Sequence, residues 1–188
     1  MYYSIYYKFS NFKKEYLVDG KIYYGWNSNQ KALLKVEKDD EIFVFTGFNN
    51  GKKFNLYLLA ILVSKKVSAG RKGKHGKYHL ERNKSKTKFF TFDESKPITK
   101  LFQKLEFKNG IKPERYGQAL QSFQEIIPKD ANLIKGFSKE LKTYREPAPK
   151  ASNRLIKQDE FPITSHSWEV LSNSIAIKHL DKSAFHHH

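Results

Sequence analysis

The longest apolar run in the chain, Leu56 to Val63, is only eight residues long. That is strand length, and it falls well short of the ~18 apolar residues a membrane-spanning helix needs. The run ends at Ser64-Lys65-Lys66, so the strand that carries it leads straight from apolar sequence into the most basic part of the chain. The first residues, Met1-Tyr2-Tyr3-Ser4, show no basic segment followed by an apolar one, so a secretory leader is not expected. Cysteine is absent, which excludes disulfides, cysteine-held zinc, iron–sulfur clusters and a thiol nucleophile. A cytoplasmic protein without cofactor or metal is the expectation. With 15 Phe, 11 Tyr and 2 Trp in 188 residues, the chain can build one packed core, and full disorder is not expected.

Lys and Arg number 35 against 19 Asp and Glu, a net charge of +16 and a pI of about 9.8. Lysine-rich and phenylalanine-rich usage also arises in AT-rich genomes, so the total alone is ambiguous. Its distribution is more specific. From Lys65 to Lys88 there are ten basic residues and one acid, Glu81. Such clustering favours a polyanionic partner. Gly70, Gly73 and Gly76 punctuate the stretch, and glycines at this spacing let a backbone approach a phosphate closely. Gly76-Lys77 is followed by Tyr78, so the Walker pattern is not met. Three glycines in seven residues also disfavour a basic helix. Two readings remain, a solvated hairpin tip or a loop that grips phosphates. In the second, Lys65, Arg71, Lys72, Lys74, His75, Lys77, Arg82, Lys84 and Lys86 are the contacts.

The first hundred residues read as β and the next fifty as helical. Strands are predicted over Tyr2–Phe9, Lys21–Trp26, Glu41–Gly47, Phe54–Val67, Lys77–Leu80 and Lys86–Phe92. Turns are expected at Asp19-Gly20 and Asn49-Asn50-Gly51, a break at Asn27-Ser28-Asn29, and a short helix over Gln30–Val36. Helices are predicted over Pro97–Leu105, over Pro113–Ile127 from the stripe Tyr116, Ala119, Leu120, Phe123, Ile126 and Ile127, and over 130–144 with Asp130 as its cap. Residues 1–146 then form the domain. Pro147 to Asn153 is a linker, Ser167 to Ile177 contributes C-terminal strands, and His186-His187-His188 is either native or the remnant of a purification tag.

The order of Tyr23-Tyr24-Gly25-Trp26-Asn27-Ser28-Asn29-Gln30, then Leu33-Leu34-Lys35-Val36-Glu37-Lys38-Asp39-Asp40-Glu41-Ile42-Phe43-Val44-Phe45, resembles a small barrel of the PUA superfamily, especially its EVE and YTH branches. That family has an aromatic strand, a Trp-containing loop, a short helix and a Lys-x-Gly-Asp turn into an aromatic strand; here Asp39-Asp40 stands where the pattern has Gly-Asp. The B3-type pseudobarrel of plant transcription factors and some restriction enzymes is similar over the same turn and strand. The residues do not separate the two. Either resemblance implies an α+β fold, an open or pseudo β-barrel with two to three helices beside it, covering about residues 1–92. Both imply a DNA-recognition module such as the N-terminal part of McrB-like restriction proteins, with further domains or subunits as partners. The PUA reading implies a modified-base pocket near Trp26, whereas the B3 reading makes Trp26 a core residue. A Trp and Tyr pair can stack a flipped base while short polar side chains read its edge, so Tyr24, Trp26, Asn27, Ser28 and Asn29 are the base-reading candidates.

Catalytic candidates are sparse. Glu94-Ser95-Lys96 matches the E-x-K half of a restriction-nuclease magnesium site, with Glu81 or Asp93 as its upstream acid. His179 and Asp181 share a face if extended and could act as an acid–base pair near Trp168. His75 and His79 have helical metal spacing, but Gly76 between them disfavours a helix. The reading is a DNA-binding module. The alternatives are a small complete DNA-acting enzyme, a nuclease or a base-excising one, and an RNA-binding barrel.

Overall fold

In a computed structural model, the described residues are 1–14, 25–28, 30–69, 77–108, 120 and 123–145. Their elements run β1 (Tyr2–Tyr6), α1 (Phe9–Phe12), β2 (Gly25–Ser28), a 3-10 helix (Lys31–Lys35), β3 (Glu41–Asn50), β4 (Lys53–Ala69), β5 (Tyr78–Arg82), β6 (Lys88–Phe90), α2 (Thr99–Phe102), β7 (Gln124–Ile126), α3 (Pro128–Ser138) and β8 (Thr143–Tyr144). The eight strands make one mixed sheet in the order β2-β5-β4-β3-β1-β7, with β6 beside β4 and β8 beside β6. Only β1 and β3 run parallel. The end strands β2 and β7 do not pair with each other, so among the described residues the sheet is open. The α+β class holds.

The hairpin of β3 and β4 is the centre of the sheet. Residues Ile42 to Phe48 and Leu56 to Ser64 are buried without interruption, as strands covered on both faces must be. One face packs Tyr3, Ile5, Ile42, Val44, Phe48, Tyr57 and Leu62 against Phe9 and Phe12 of α1 and Leu33 of the 3-10 helix. The other packs Tyr6, Phe43, Phe45, Leu56, Leu58 and Ile61 against Phe102 of α2 and Ile134 of α3. Rings dominate the first face: Phe9 stacks on Phe48 at 4.5 Å between centroids, and Phe48 on Tyr57 at 5.3 Å. Such pairs add to burial worth about 1.5–3 kcal/mol per large side chain.

A bulge sets which residues face which layer. Val44 pairs with Ala60 and Phe45 with Leu58, so Leu59 has no partner across the strand. Leu59 and Ala60 therefore both meet the first face, and the alternation resumes shifted by one, with Ile61 on the second. Two glycines serve the hairpin. Gly51 has φ +66° in the two-residue connection between Asn50 and Lys53, where a side chain would be strained. A Cβ at Gly47 would come within 2.4 Å of the Phe54 ring and 2.9 Å of the Asn55 carbonyl.

Several expectations need correction. The first strand stops at Tyr6, and Phe9 begins α1, which turns both its phenylalanines into the core. Asn27 and Ser28 do not break the second strand but extend it, paired with His79 and Tyr78. The predicted helix over 113–127 fails at its end: Gln124–Ile126 is a strand, because β1 offers it a hydrogen-bonding edge. The helix expected over Pro97–Leu105 shrinks to Thr99–Phe102. That expected over 130–144 runs Pro128–Ser138, and Thr143–Tyr144 pairs with β6 instead.

Asp130 is not the helix cap. It lies in the first turn of α3, is fully buried, and accepts the N–H groups of Glu106 and Phe107 at 2.9–3.1 Å. Phe107 has φ +45°, so the preceding loop turns its donors towards the carboxylate. The turn at Asp19-Gly20, residues 21–24, most of the 113–127 segment, the linker after Pro147, the strands at 167–177 and the final histidines lie outside the described residues. The buried carboxylate yields a stability prediction. Asp130→Ala should lower unfolding stability by roughly 1–3 kcal/mol, since it strands two N–H groups in the interior. Urea unfolding checks this through a lower midpoint at unchanged slope.

Candidate nucleic-acid interface

Seven basic side chains of the cationic stretch fall on described residues: Lys65 and Lys66 on β4, Lys77 just before β5, Arg82 at its end, Lys84 and Lys86 in the following turn, and Lys88 on β6. They are concentrated along one hairpin. β4 and β5 pair from Ser64↔Arg82 to Ala69↔Tyr78, so the Gly-rich segment 70–76 leaves and rejoins the sheet at adjacent strand ends. Arg71, Lys72, Lys74 and His75 belong to that segment and lie outside the described residues.

The cations differ in their surroundings. Arg82 is only 5% exposed, and its guanidinium stands over the Phe89 ring, 5.0 Å from the centroid. That is a packing role, which the cation–π geometry stabilises. Lys65, Lys66, Lys77, Lys84, Lys86 and Lys88 are exposed. Lys65, Lys66 and Lys86 meet the chain's own carboxylates. Lys65 reaches Glu81 at 2.8 Å, Lys66 reaches the other oxygen of Glu81 at 3.6 Å, and Lys86 reaches Asp39 at 2.8 Å.

A second bulge explains the double contact on Glu81. The register steps from Ser64↔Arg82 to Lys66↔Glu81, leaving Lys65 as the extra residue, and both lysines lie opposite one acid. Asp39 arrives from the turn before β3. Its N–H donates to the Ser64 carbonyl at 2.8 Å, while the Ser64 N–H donates to the Asp40 carbonyl at 2.8 Å. Asp40 itself is buried and accepts the Glu37 N–H and the Met1 amine. Lys86 and Lys38 thus act on Asp39, and Lys65 and Lys66 on Glu81, pairings no reading of spacing reveals. Lys86 donates a hydrogen bond to Asp39, and Lys65 donates one to Glu81; these contacts pull both carboxyls below the usual carboxylate range.

Three of the base-reading candidates fall on β2, the strand next to that hairpin. β2 is hydrogen-bonded to β5, with Trp26 opposite Leu80, Asn27 opposite His79 and Ser28 opposite Tyr78. Tyr24, Asn29 and the side chains of Trp26, Asn27 and Ser28 lie outside the description. Two groups of candidates about fifty residues apart in sequence therefore sit on neighbouring strands. A cavity of about 20 Å³ lined by Tyr7, Phe12, Val44, Leu59, Ala60, Leu62, Phe89 and Tyr144 is mostly apolar and has room for about one water molecule.

The E-x-K residues do not assemble a metal centre. Glu94-Ser95 forms a turn, Lys96 donates to the Glu140 carbonyl at 2.8 Å, and Asp93 is taken up by the hydroxyl and N–H of Ser95. Those two donors lower the Asp93 carboxyl from its usual range, the hydroxyl foremost. Among the described residues no three His, Asp or Glu side chains gather to hold a metal, and no helix is long and apolar enough to cross a membrane. His179 and Asp181 lie outside the described residues. Comparison with protein-family models, with curated proteins and with solved structures returns no match.

The ion pairs carry a pH signature. A carboxyl lowered by folding stabilises the native state above its unfolded titration, and that contribution is lost as pH falls through the lower folded value. Carboxyl carbon NMR should show Asp39 and Glu81 titrating below ordinary Asp and Glu. Lys86→Met should move Asp39 back up and leave Glu81 in place.

Proposed function

We propose that the chain is a duplex-DNA recognition module that grips phosphates along the β4–β5 hairpin and its flanking turn. The observation that carries this reading is the concentration of exposed lysines on β4, at the start of β5 and in the turn that follows it, beside the strand that holds Trp26, Asn27 and Ser28. β5 spans ~17 Å, and duplex DNA offers one charge per ~1.7 Å of axis, so several lysines can engage phosphates together. The hairpin's ion pairs do not prevent this. They are exposed, water screens them, and a polyanion competes for the same ammonium groups. The apolar layers form from other residues, which leaves the cationic end available for a partner.

In this reading the module belongs to a cytoplasmic restriction or modification-sensing system, its open sheet serving as a pseudobarrel of the PUA or B3 kind. Phosphate contacts set affinity and register, and residues of β2 with the neighbouring segments read bases. The test is fluorescence anisotropy on a labelled duplex across salt. Six phosphate contacts give a log–log slope of about −5, at about −0.9 per contact. The combined variant Arg71→Ala, Lys72→Ala, Lys74→Ala should flatten that slope by two to three contacts. A salt-insensitive affinity, or an unchanged slope in the variant, contradicts the reading. Matched single-stranded RNA should compete poorly; strong competition transfers the site to RNA.

A further inference from the structure

We infer that Asp39 and Glu81 are built-in counter-anions of the DNA-gripping surface, each holding a position that a phosphate takes when duplex DNA binds. The inference rests on the DNA-binding reading and adds how that site is restrained. Glu81 lies under Lys65 and Lys66, one oxygen to each, because the bulge at Lys65 aims both lysines at it. Asp39 holds Lys86 at 2.8 Å. A carboxylate and a phosphate are both oxyanions that accept short, charge-assisted hydrogen bonds from ammonium groups. Each can therefore replace the other at these three lysines.

The backbone gives independent support. Asp39 has φ +68°, in the left-handed region that favours glycine and that aspartate only tolerates. Its side chain is exposed and accepts a hydrogen bond from Lys86. Asp39 is exposed and Glu81 partly so, and such surface pairs contribute little to folding. What both do is place negative charge against Lys65, Lys66 and Lys86. An approaching polyanion must displace them, which weakens binding to any phosphate backbone and leaves base contacts to decide where the module stays.

The experiment compares Glu81→Gln and Asp39→Asn with a control of equal charge change, Glu106→Gln, whose partner is Lys129 in the first turn of α3. Affinity for a fixed duplex is measured across salt, alongside thermal melts. At low salt the first two variants should tighten binding on the order of threefold to tenfold each and steepen the salt slope, while the control stays near wild type. The gain should fade at high salt, as screening requires. Asp39→Gly should tighten binding equally while keeping or raising the melting temperature, since glycine suits that backbone. Equal gains in all variants, the control included, would mean that only net charge matters and overturn the inference. So would wild-type binding that Glu81→Gln and Asp39→Asn leave unchanged. Failure of the wild type and every variant to bind DNA overturns the DNA reading itself and the inference with it.

Discussion

Residues 56–63 of β4 are buried on both faces, so their peptide groups need hydrogen-bond partners along both edges. β3 supplies one edge along the whole run, and β6 with the turn after β5 supplies the other: Ala60 and Ile61 pair with β6, and the Val63 carbonyl accepts the Asn83 N–H. The same requirement brings a cover to each face, α1 and the 3-10 helix on one, α2 and α3 on the other. Beyond Val63 the requirement relaxes. The strand continues to Ala69 with its lysines in water, paired on one side with β5. One continuous strand therefore joins the packed interior to the charged surface.

Two bulges on β4 adapt that strand to its two settings. At Leu59 the extra residue stays in the interior and reverses which positions face which layer. At Lys65 it stays outside and doubles the positive charge opposite Glu81. The mechanics are the same in both places: two residues on one strand against one on its neighbour. The first bulge changes packing and the second changes electrostatics.

The locally encoded elements were legible in the sequence. β3, β4, the Asn50-Gly51 turn and the short helix after Gln30 announce themselves through alternation, apolar runs and turn chemistry within a few residues. Where distant chain segments decide, the reading failed. Gln124–Ile126 carries a helical stripe yet pairs with β1, and Thr143–Tyr144 leaves the expected helix to join β6. Asp130 looks like a cap from its neighbours, but loop donors over twenty residues upstream claim it. The basic stretch was plain as composition. Its internal carboxylate partners were not, because a bulge and a turn 47 residues away bring them in.

The parallel pairing of β1 has a consequence for how the chain is made. β1 leaves the ribosome before either of its two neighbours, β3, which starts at residue 41, and β7, which ends at residue 126. No short hairpin can complete it. Through most of translation Tyr3 and Ser4 present a bare strand edge, the kind of template to which other nascent chains attach. Contacts of such long sequence separation also slow the approach to the native state. A chain cut before β7 would expose one side of its first strand, so residues 124–126 cover the edge of β1 and leave a strand of only three residues as the outer edge there.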